Sequence, residues 1–134
     1  MFVYRTRLRL RDTDATGVLY FPEQFNFAMH ALEEFLKEKG FSLQVLIASP
    51  YLFPVVHAEA DYFAPLRVDD ELEVFLTVEH IGNSSVILQY TLRDPNRGIE
   101  VGKAKIIHVV VDRETRASVP IPDFLRAIFK TLIQ

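Results

Sequence analysis

Residues 2–11 alternate, with Phe2, Tyr4, Thr6, Leu8 and Leu10 set against the odd-numbered positions, and that period of two predicts a half-buried strand. Asp12-Thr13-Asp14-Ala15-Thr16-Gly17 is turn chemistry: small side chains, two aspartates and a glycine. Pro22-Glu23 then opens a long amphipathic helix, because proline suits a first helical turn and an acid there complements the helix dipole. Phe25, Ala28, Met29, Leu32, Phe35 and Leu36 recur at helical spacing, and Phe27 and Ala31 widen the stripe to more than half the circumference. Lys37, Lys39 and Gly40 are stop signals. A weakly patterned stretch runs on to Pro50.

Four strand-like runs follow. Residues 53–64 alternate until Pro65 ends them. Leu72, Val74, Leu76 and Val78 lead to a tight turn at Gly82-Asn83. Val86, Leu88, Tyr90 and Leu92 lead to a second turn at residues 94–98, and residues 99–112 form the longest and most apolar strand. Pro120 and Pro122 break the chain, and Asp123 is expected to cap a closing helix through Phe124, Leu125, Ile128 and Leu132. With no repeat or linker, residues 1–134 read as one domain. A helix with so broad an apolar stripe needs a cover, and the economical one is an antiparallel sheet wrapped around it, an α+β arrangement. Such a sheet keeps an exposed edge that a second copy can extend, so a homodimer is expected.

Composition narrows the function. A net charge of −3 without a cluster of Lys and Arg argues against nucleic-acid binding. Arg5, Arg7, Arg9 and Arg11 fall on one face of the first strand, which reads as a solvated or subunit-facing edge rather than a polyanion site. No apolar run is long enough for membrane insertion, and the first residues lack the layout of a signal peptide. The absence of cysteine excludes disulfides, a thiol nucleophile and thiolate metal sites, and fits a reducing, cytoplasmic setting. His30, His57, His80 and His108 share no metal-ligand spacing, so no metal is expected. There is no serine elbow and no glycine-rich phosphate loop. His57, Glu59 and Asp61 share one strand face, either as an acid–base cluster or as a polar surface.

Asp12 and Asp14 stand out because neither occupies the capping position of the helix opened by Pro22. Between them and the helix lies an apolar crossing, Gly17-Val18-Leu19-Tyr20-Phe21, which is costly to leave on a surface loop. A carboxylate, a glycine turn and a helix N-terminus together suit a site where backbone N–H groups polarise a carbonyl oxygen.

The run Asp12-Thr13-Asp14-Ala15-Thr16-Gly17-Val18-Leu19-Tyr20 resembles the signature of the 4-hydroxybenzoyl-CoA thioesterase family of hotdog proteins. Ala58 to Pro65, with Asp70, resembles that family's second strand and turn, and the likeness spans nearly the whole chain in the same element order. It implies a hotdog fold and an acyl-CoA substrate hydrolysed without metal or organic cofactor. Asp14 matches the catalytic carboxylate, acting as nucleophile or as general base. The backbone N–H of Phe21 matches the oxyanion donor, Gly17 the close-packing glycine, and Tyr20 the adjoining pocket wall. The family's site lies at a dimer interface, so Phe53, Pro54 and His57 of one subunit are implied to line the acyl pocket of the other, in a homodimer expected to pair into a tetramer. Residues 54–65 look most like the subgroup that hydrolyses 1,4-dihydroxy-2-naphthoyl-CoA in phylloquinone or menaquinone synthesis.

Two departures stand out. Met29 occupies a helix position where relatives often carry an acid, with His30 or Glu33 as substitutes, and Gly82-Asn83-Ser84-Ser85 replaces an arginine pair that grips CoA phosphates. Arg67, Lys103 and Arg113 are the remaining candidates for that grip. The competing readings are a short-chain or 4-hydroxybenzoyl-type thioesterase, a hotdog dehydratase (whose histidine motif is missing at Tyr20-Phe21-Pro22), and a non-catalytic subunit binding acyl-carrier protein or another partner.

Overall fold

The apolar stripe between Pro22 and Gly40 forms α1, Glu23–Glu38, in the computed structural model, which describes residues 1–134. Phe27, Ala28, Ala31, Leu32, Phe35 and Leu36 are buried along it. Its C-terminus closes as a Schellman turn: the Phe41 N–H donates to the Leu36 carbonyl (2.8 Å) and the Gly40 N–H to the Lys37 carbonyl (3.0 Å). That turn needs a left-handed residue, and Gly40 supplies it at φ +80°.

Five strands make one antiparallel sheet: β1 (Phe2–Arg7), β3 (Val55–Tyr62), β4 (Glu71–Ile81), β5 (Ser85–Asp94) and β6 (Ile99–Val109), in the order β1-β4-β5-β6-β3. Two short strands, β2 (Tyr51–Leu52) and β7 (Val111–Asp112), pair separately. The predicted alternation holds in β4 and β5, where Leu72, Val74, Leu76, Val78, Val86, Leu88, Tyr90 and Leu92 are buried, and α1 packs on this face. The result is the expected α+β hotdog arrangement of an antiparallel sheet around one long central helix. The closing helix α3 (Asp123–Lys130) seals one end, with Leu125 and Phe129 buried and the Phe129 ring 6.4 Å from that of Phe35.

Four local expectations are corrected. The first strand ends at Arg7, not at residue 11, and residues Leu10–Asp12 form a 3-10 turn. Leu8 still points into the core, but Leu10 is exposed and Arg9 and Arg11 lie beyond the ladder. Arg5 and Arg7 do form a surface edge, paired with Glu73 (3.1 Å) and Asp69 (2.9 Å). The unpatterned stretch contains a short helix, α2 (Leu43–Ala48), capped by the Ser42 hydroxyl. Asp123 is not a cap: Pro122 holds that position and Asp123 sits in the first turn, where its charge meets the helix dipole. Strand β3 is at the sheet edge with only β6 beside it, so both of its faces are largely exposed, Val55, Val56 and Tyr62 included.

His108 is buried in β6. Its Nδ1 lies 3.0 Å from the Phe53 carbonyl, an acceptor, so Nδ1 carries the proton, while Nε2 is buried without a partner. The Phe53 ring stacks on the imidazole at 4.3 Å. Desolvation pulls the His108 pKa below its usual value, and the bond to Phe53 opposes this only in part. The unfolded chain therefore takes up this proton first, so the contribution is complete above about pH 6.5 and is lost as pH falls through that value, by up to about 1.4 kcal/mol per pH unit. Replacing His108 by Gln is expected to flatten the fall in denaturation midpoint between pH 7.5 and 5.5. An equally steep fall in the variant would show that the buried imidazole is not its source.

Candidate active site

The aspartate motif folds as a tight hairpin. The Gly17 N–H donates to the Asp14 carbonyl (3.1 Å) and the Asp14 N–H to the Val18 carbonyl (2.8 Å), with Gly17 at φ +79°. This is a type I turn followed by a left-handed residue, a conformation an L side chain resists. Thr13 bridges to Leu19, and the Tyr20 N–H donates to the Asp12 carbonyl (2.9 Å), so Asp14 and Phe21 lie on opposite arms of one loop. The Leu19 N–H reaches the Leu66 carbonyl (2.7 Å), tying the apolar crossing to the segment after β3.

The two aspartates have different jobs. Asp12 is buried, and its Oδ2 accepts the Arg9 N–H (2.8 Å), which makes it a structural cap of the 3-10 turn. Asp14 is exposed. Its Oδ1 accepts both the hydroxyl and the N–H of Thr16, and Oδ2 accepts nothing from the chain. The Thr16 hydroxyl first, and its N–H second, hold the Asp14 pKa below the usual carboxylate value. Asp14 is thus an anion at neutral pH with one oxygen open to solvent.

At the helix start the amides of Glu23, Gln24 and Phe25 donate to the carbonyls of Tyr20, Phe21 and Pro22, while the Phe21 N–H has no acceptor. Pro22 carries no N–H at all, so Phe21 offers the last open donor before α1. The Tyr62 hydroxyl donates to the Phe21 carbonyl (2.9 Å), and desolvation raises the Tyr62 pKa, keeping it protonated as a donor. Tyr20, Phe21 and Tyr62 stack edge-on in series, at 5.6 and 6.3 Å between centroids. Phe21 and Tyr62 wall a cavity of about 330 Å³ whose other lining includes Val18, Leu19, Leu66 and Val101.

Gln24 also lines this cavity, and it was not among the residues singled out from the sequence. It is buried, and its Nε2 donates to the Asp61 carbonyl (3.0 Å) on β3 and the Lys103 carbonyl (2.9 Å) on β6. A Cβ at Gly102 would stand 2.7 Å from this carboxamide. Glycine inside an apolar strand signals such close approach, so Gly102 was the available clue.

Within one chain, Gly17, Asp14 and Phe21 come together on the loop, with Tyr20 exposed beside them. Phe53, Pro54 and His57 do not border the cavity. The Phe53 ring packs between His108 and Phe129, whereas Pro54 and His57 are exposed and His57 pairs with Glu59 at 3.1 Å. Of the cations considered for phosphate, Arg113 is engaged with the carbonyls of Ser49, Leu46 and Tyr51, while Arg67 and Lys103 make no side-chain ion pair. His30 lies edge-on to Tyr4 and Phe27, and neither it, Met29 nor Glu33 borders the cavity.

The profile of the Thioesterase-like superfamily matches residues 8–129. A 1,4-dihydroxy-2-naphthoyl-CoA hydrolase from Nostoc punctiforme is 32% identical over 123 residues, covering 91% of this chain and 82% of that protein. The hydrolase of the same name from Rippkaea orientalis is 32% identical over 131 residues, covering 96% and 94%. Among solved structures, a 1,4-dihydroxy-2-naphthoyl-CoA thioesterase from Synechocystis superposes with a TM-score of 0.91 at 28% identity, covering 98% of this chain and 96% of the other. A gentisyl-coenzyme A thioesterase superposes at 0.85 with 28% identity, covering 95% and 98%.

The Thr16 contacts set the charge of Asp14, so Thr16→Val, which keeps the N–H and removes the hydroxyl, is expected to raise the Asp14 pKa. Carboxyl-carbon NMR titration of wild type and variant reads this directly. An unshifted titration would mean that the hydroxyl does not stabilise the anion.

Proposed function

The chain belongs to the thioesterase-like superfamily, and we propose that it is an acyl-CoA thioesterase acting on an aromatic acyl group, with 1,4-dihydroxy-2-naphthoyl-CoA of quinone biosynthesis as its substrate. One observation carries the reading: an anionic Asp14 with an open Oδ2 and an unengaged Phe21 N–H lie on one loop beside an apolar cavity. The named relatives supply the acyl group.

In this reading the thioester carbonyl oxygen takes the Phe21 N–H, and the acyl group enters the cavity next to it. Asp14 supplies the attack on the carbonyl carbon, either directly or by taking a proton from the attacking water. The C–S bond breaks and CoA leaves as a thiolate that takes up a proton, from Asp14 when Asp14 has deprotonated water or from solvent when Asp14 attacks directly. In the direct route water then hydrolyses the Asp14–acyl anhydride, and in both the carboxylic acid is released. A preorganised donor at the developing oxyanion contributes roughly 3–4 kcal/mol, and the positive end of α1 adds to it. Gly17 keeps the turn tight, and Tyr20 forms the rim. No metal or organic cofactor takes part.

The exposed β3 edge pairs with a second copy in the same reading, because Val55, Val56 and Tyr62 together leave an apolar, unpaired strand. Pro54 and His57 of that copy then face the loop of the first, while the packed Phe53 ring supports them from behind. Two such dimers form a tetramer. The setting is the cytoplasm, and residues 1–134 act as one domain; no helix is long and apolar enough to cross a membrane.

An acyl-CoA panel followed by free-thiol detection tests the activity. Asp14→Ala and Asp14→Asn are expected to lower kcat by about 10²–10⁴-fold with a small effect on KM, the range for loss of a positioned base. Undiminished hydrolysis in Asp14→Ala removes the assignment. Preference for short aliphatic thioesters over hydroxylated aryl ones removes the substrate. For assembly, Val56→Asp is expected to shift the mass from light scattering to that of a monomer and to abolish turnover; a monomeric wild type contradicts the shared site.

A further inference from the structure

Gln24 is the buried polar side chain of an otherwise apolar cavity wall, and its bonding leaves one atom unused. The carboxamide sits over Gly102 with Nε2 2.9–3.0 Å from two backbone carbonyls, which only accept, so that atom is the nitrogen and its hydrogens are both engaged. Oε1 receives no hydrogen bond from any donor of the chain. The other polar group at the wall, the Tyr62 hydroxyl, already donates its proton to the Phe21 carbonyl. Gln24 lines the cavity together with Val18, Leu19, Leu66 and Val101, so the unused acceptor belongs to a residue of its wall. Oε1 is not sealed from solvent, so water can satisfy it while the cavity is empty, and a donor on a ligand can take that water's place.

The acceptor is also placed where an acyl ring would reach. Gln24 follows Phe21 by one turn of the chain, its N–H donating to the Phe21 carbonyl (3.3 Å), and both residues line the same cavity. Its twin bonds to β3 and β6 hold it rigid, so the group is preorganised and cannot swing out to solvent. A plain hydrocarbon ring entering the cavity would leave Oε1 unpaired and dry; a ring bearing a hydroxyl would satisfy it.

We propose that Gln24 is a specificity-determining residue, whose Oε1 accepts the hydrogen bond of a ring hydroxyl on the acyl group and so selects hydroxylated aryl thioesters over unsubstituted ones. This rests on the thioesterase reading above and goes beyond it. That reading assigns the attack, the oxyanion contact and a ring contact through His57 of a second copy, but no group of the cavity wall within one chain that senses the ring's substituents. The partner of Gln24 is a neutral phenolic donor. A carboxylate or sulfonate on the ring, offering only acceptors, gains nothing here.

The test compares kcat/KM for 1-hydroxy-2-naphthoyl-CoA with that for 2-naphthoyl-CoA, and for 4-hydroxybenzoyl-CoA with benzoyl-CoA. Wild type is expected to favour the hydroxylated member of at least one pair by about tenfold, the scale of one neutral hydrogen bond. Gln24→Met, of similar length and without the acceptor, is expected to bring that ratio close to one. Gly102→Ala gives a second route to the same outcome without altering residue 24, because its Cβ would displace the carboxamide. It keeps the question answerable if Gln24→Met fails to fold by circular dichroism. A wild-type ratio near one, or a ratio unchanged in both variants, overturns the role of Gln24 while leaving the thioesterase reading in place. A wild type that hydrolyses none of the four thioesters overturns both.

Discussion

Everything in this molecule is arranged by the need to bury α1. Its stripe, from Phe27 to Leu36, is too broad for a single neighbour, so the sheet must wrap it and α3 must close the end with Leu125 and Phe129. Each fully buried Leu or Phe contributes about 1.5–3 kcal/mol, far more than any surface ion pair such as Arg7–Asp69. Once α1 is fixed its N-terminus is fixed as well. Gln24 completes this by joining the first turn to β3 and β6 where Gly102 leaves room. The Phe21 amide and the cavity are thus placed by packing rather than by a mobile loop.

That placement creates a boundary between two dielectric environments. Asp14 stays exposed, where Thr16 holds it charged, and the mostly apolar cavity is lined by Val18, Leu19 and Phe21 of the same loop. An anion of this kind gains reactivity when a substrate covers it and removes its water, while the apolar wall lowers the local dielectric around the Phe21 donor. The crossing from Gly17 to Phe21 is therefore apolar for a reason: it forms the partition. Tyr20 and Phe21 remain 49% and 62% exposed at the end of that crossing, two aromatic rings that the chain itself does not cover.

The elements legible in the sequence were those whose periodicity is enforced by burial. The α1 stripe and the alternation of β4 and β5 face one core, and their residues follow directly. Alternation misled at the end of β1, where Arg9-Leu10-Arg11 continues the pattern although the chain has already left the ladder. Leu8 exchanges backbone bonds with Asp69 and Asp70, and the next residues turn. The pattern failed at α2, whose Val45 and Ile47 are exposed, because a helix that buries little carries no stripe to read. The candidate site divided along the same line. The Asp14 loop and an open donor at the helix start were visible through turn and helix-start chemistry, with Phe21 named for that donor only by the family resemblance. Gln24 was not visible, since a glutamine on a helix reads as surface until the glycine opposite it is known.

Phe53 is held by its carbonyl on His108 and by its ring between His108 and Phe129, so the chain enters β3 from a rigid anchor. Just past that anchor the ladder slips between Val55 and His57, which sets the face on which His57 joins Glu59. An edge strand with a fixed origin and fixed register is suited to pairing with its own copy, because a slip of one residue would exchange every outward side chain. The cavity is lined by the apolar crossing before α1, by Gln24, by Tyr62 and the segment that follows β3, and by Val101 of β6. The cavity and the exposed edge are therefore neighbours rather than separate regions, since Tyr62 at the end of β3 belongs to both.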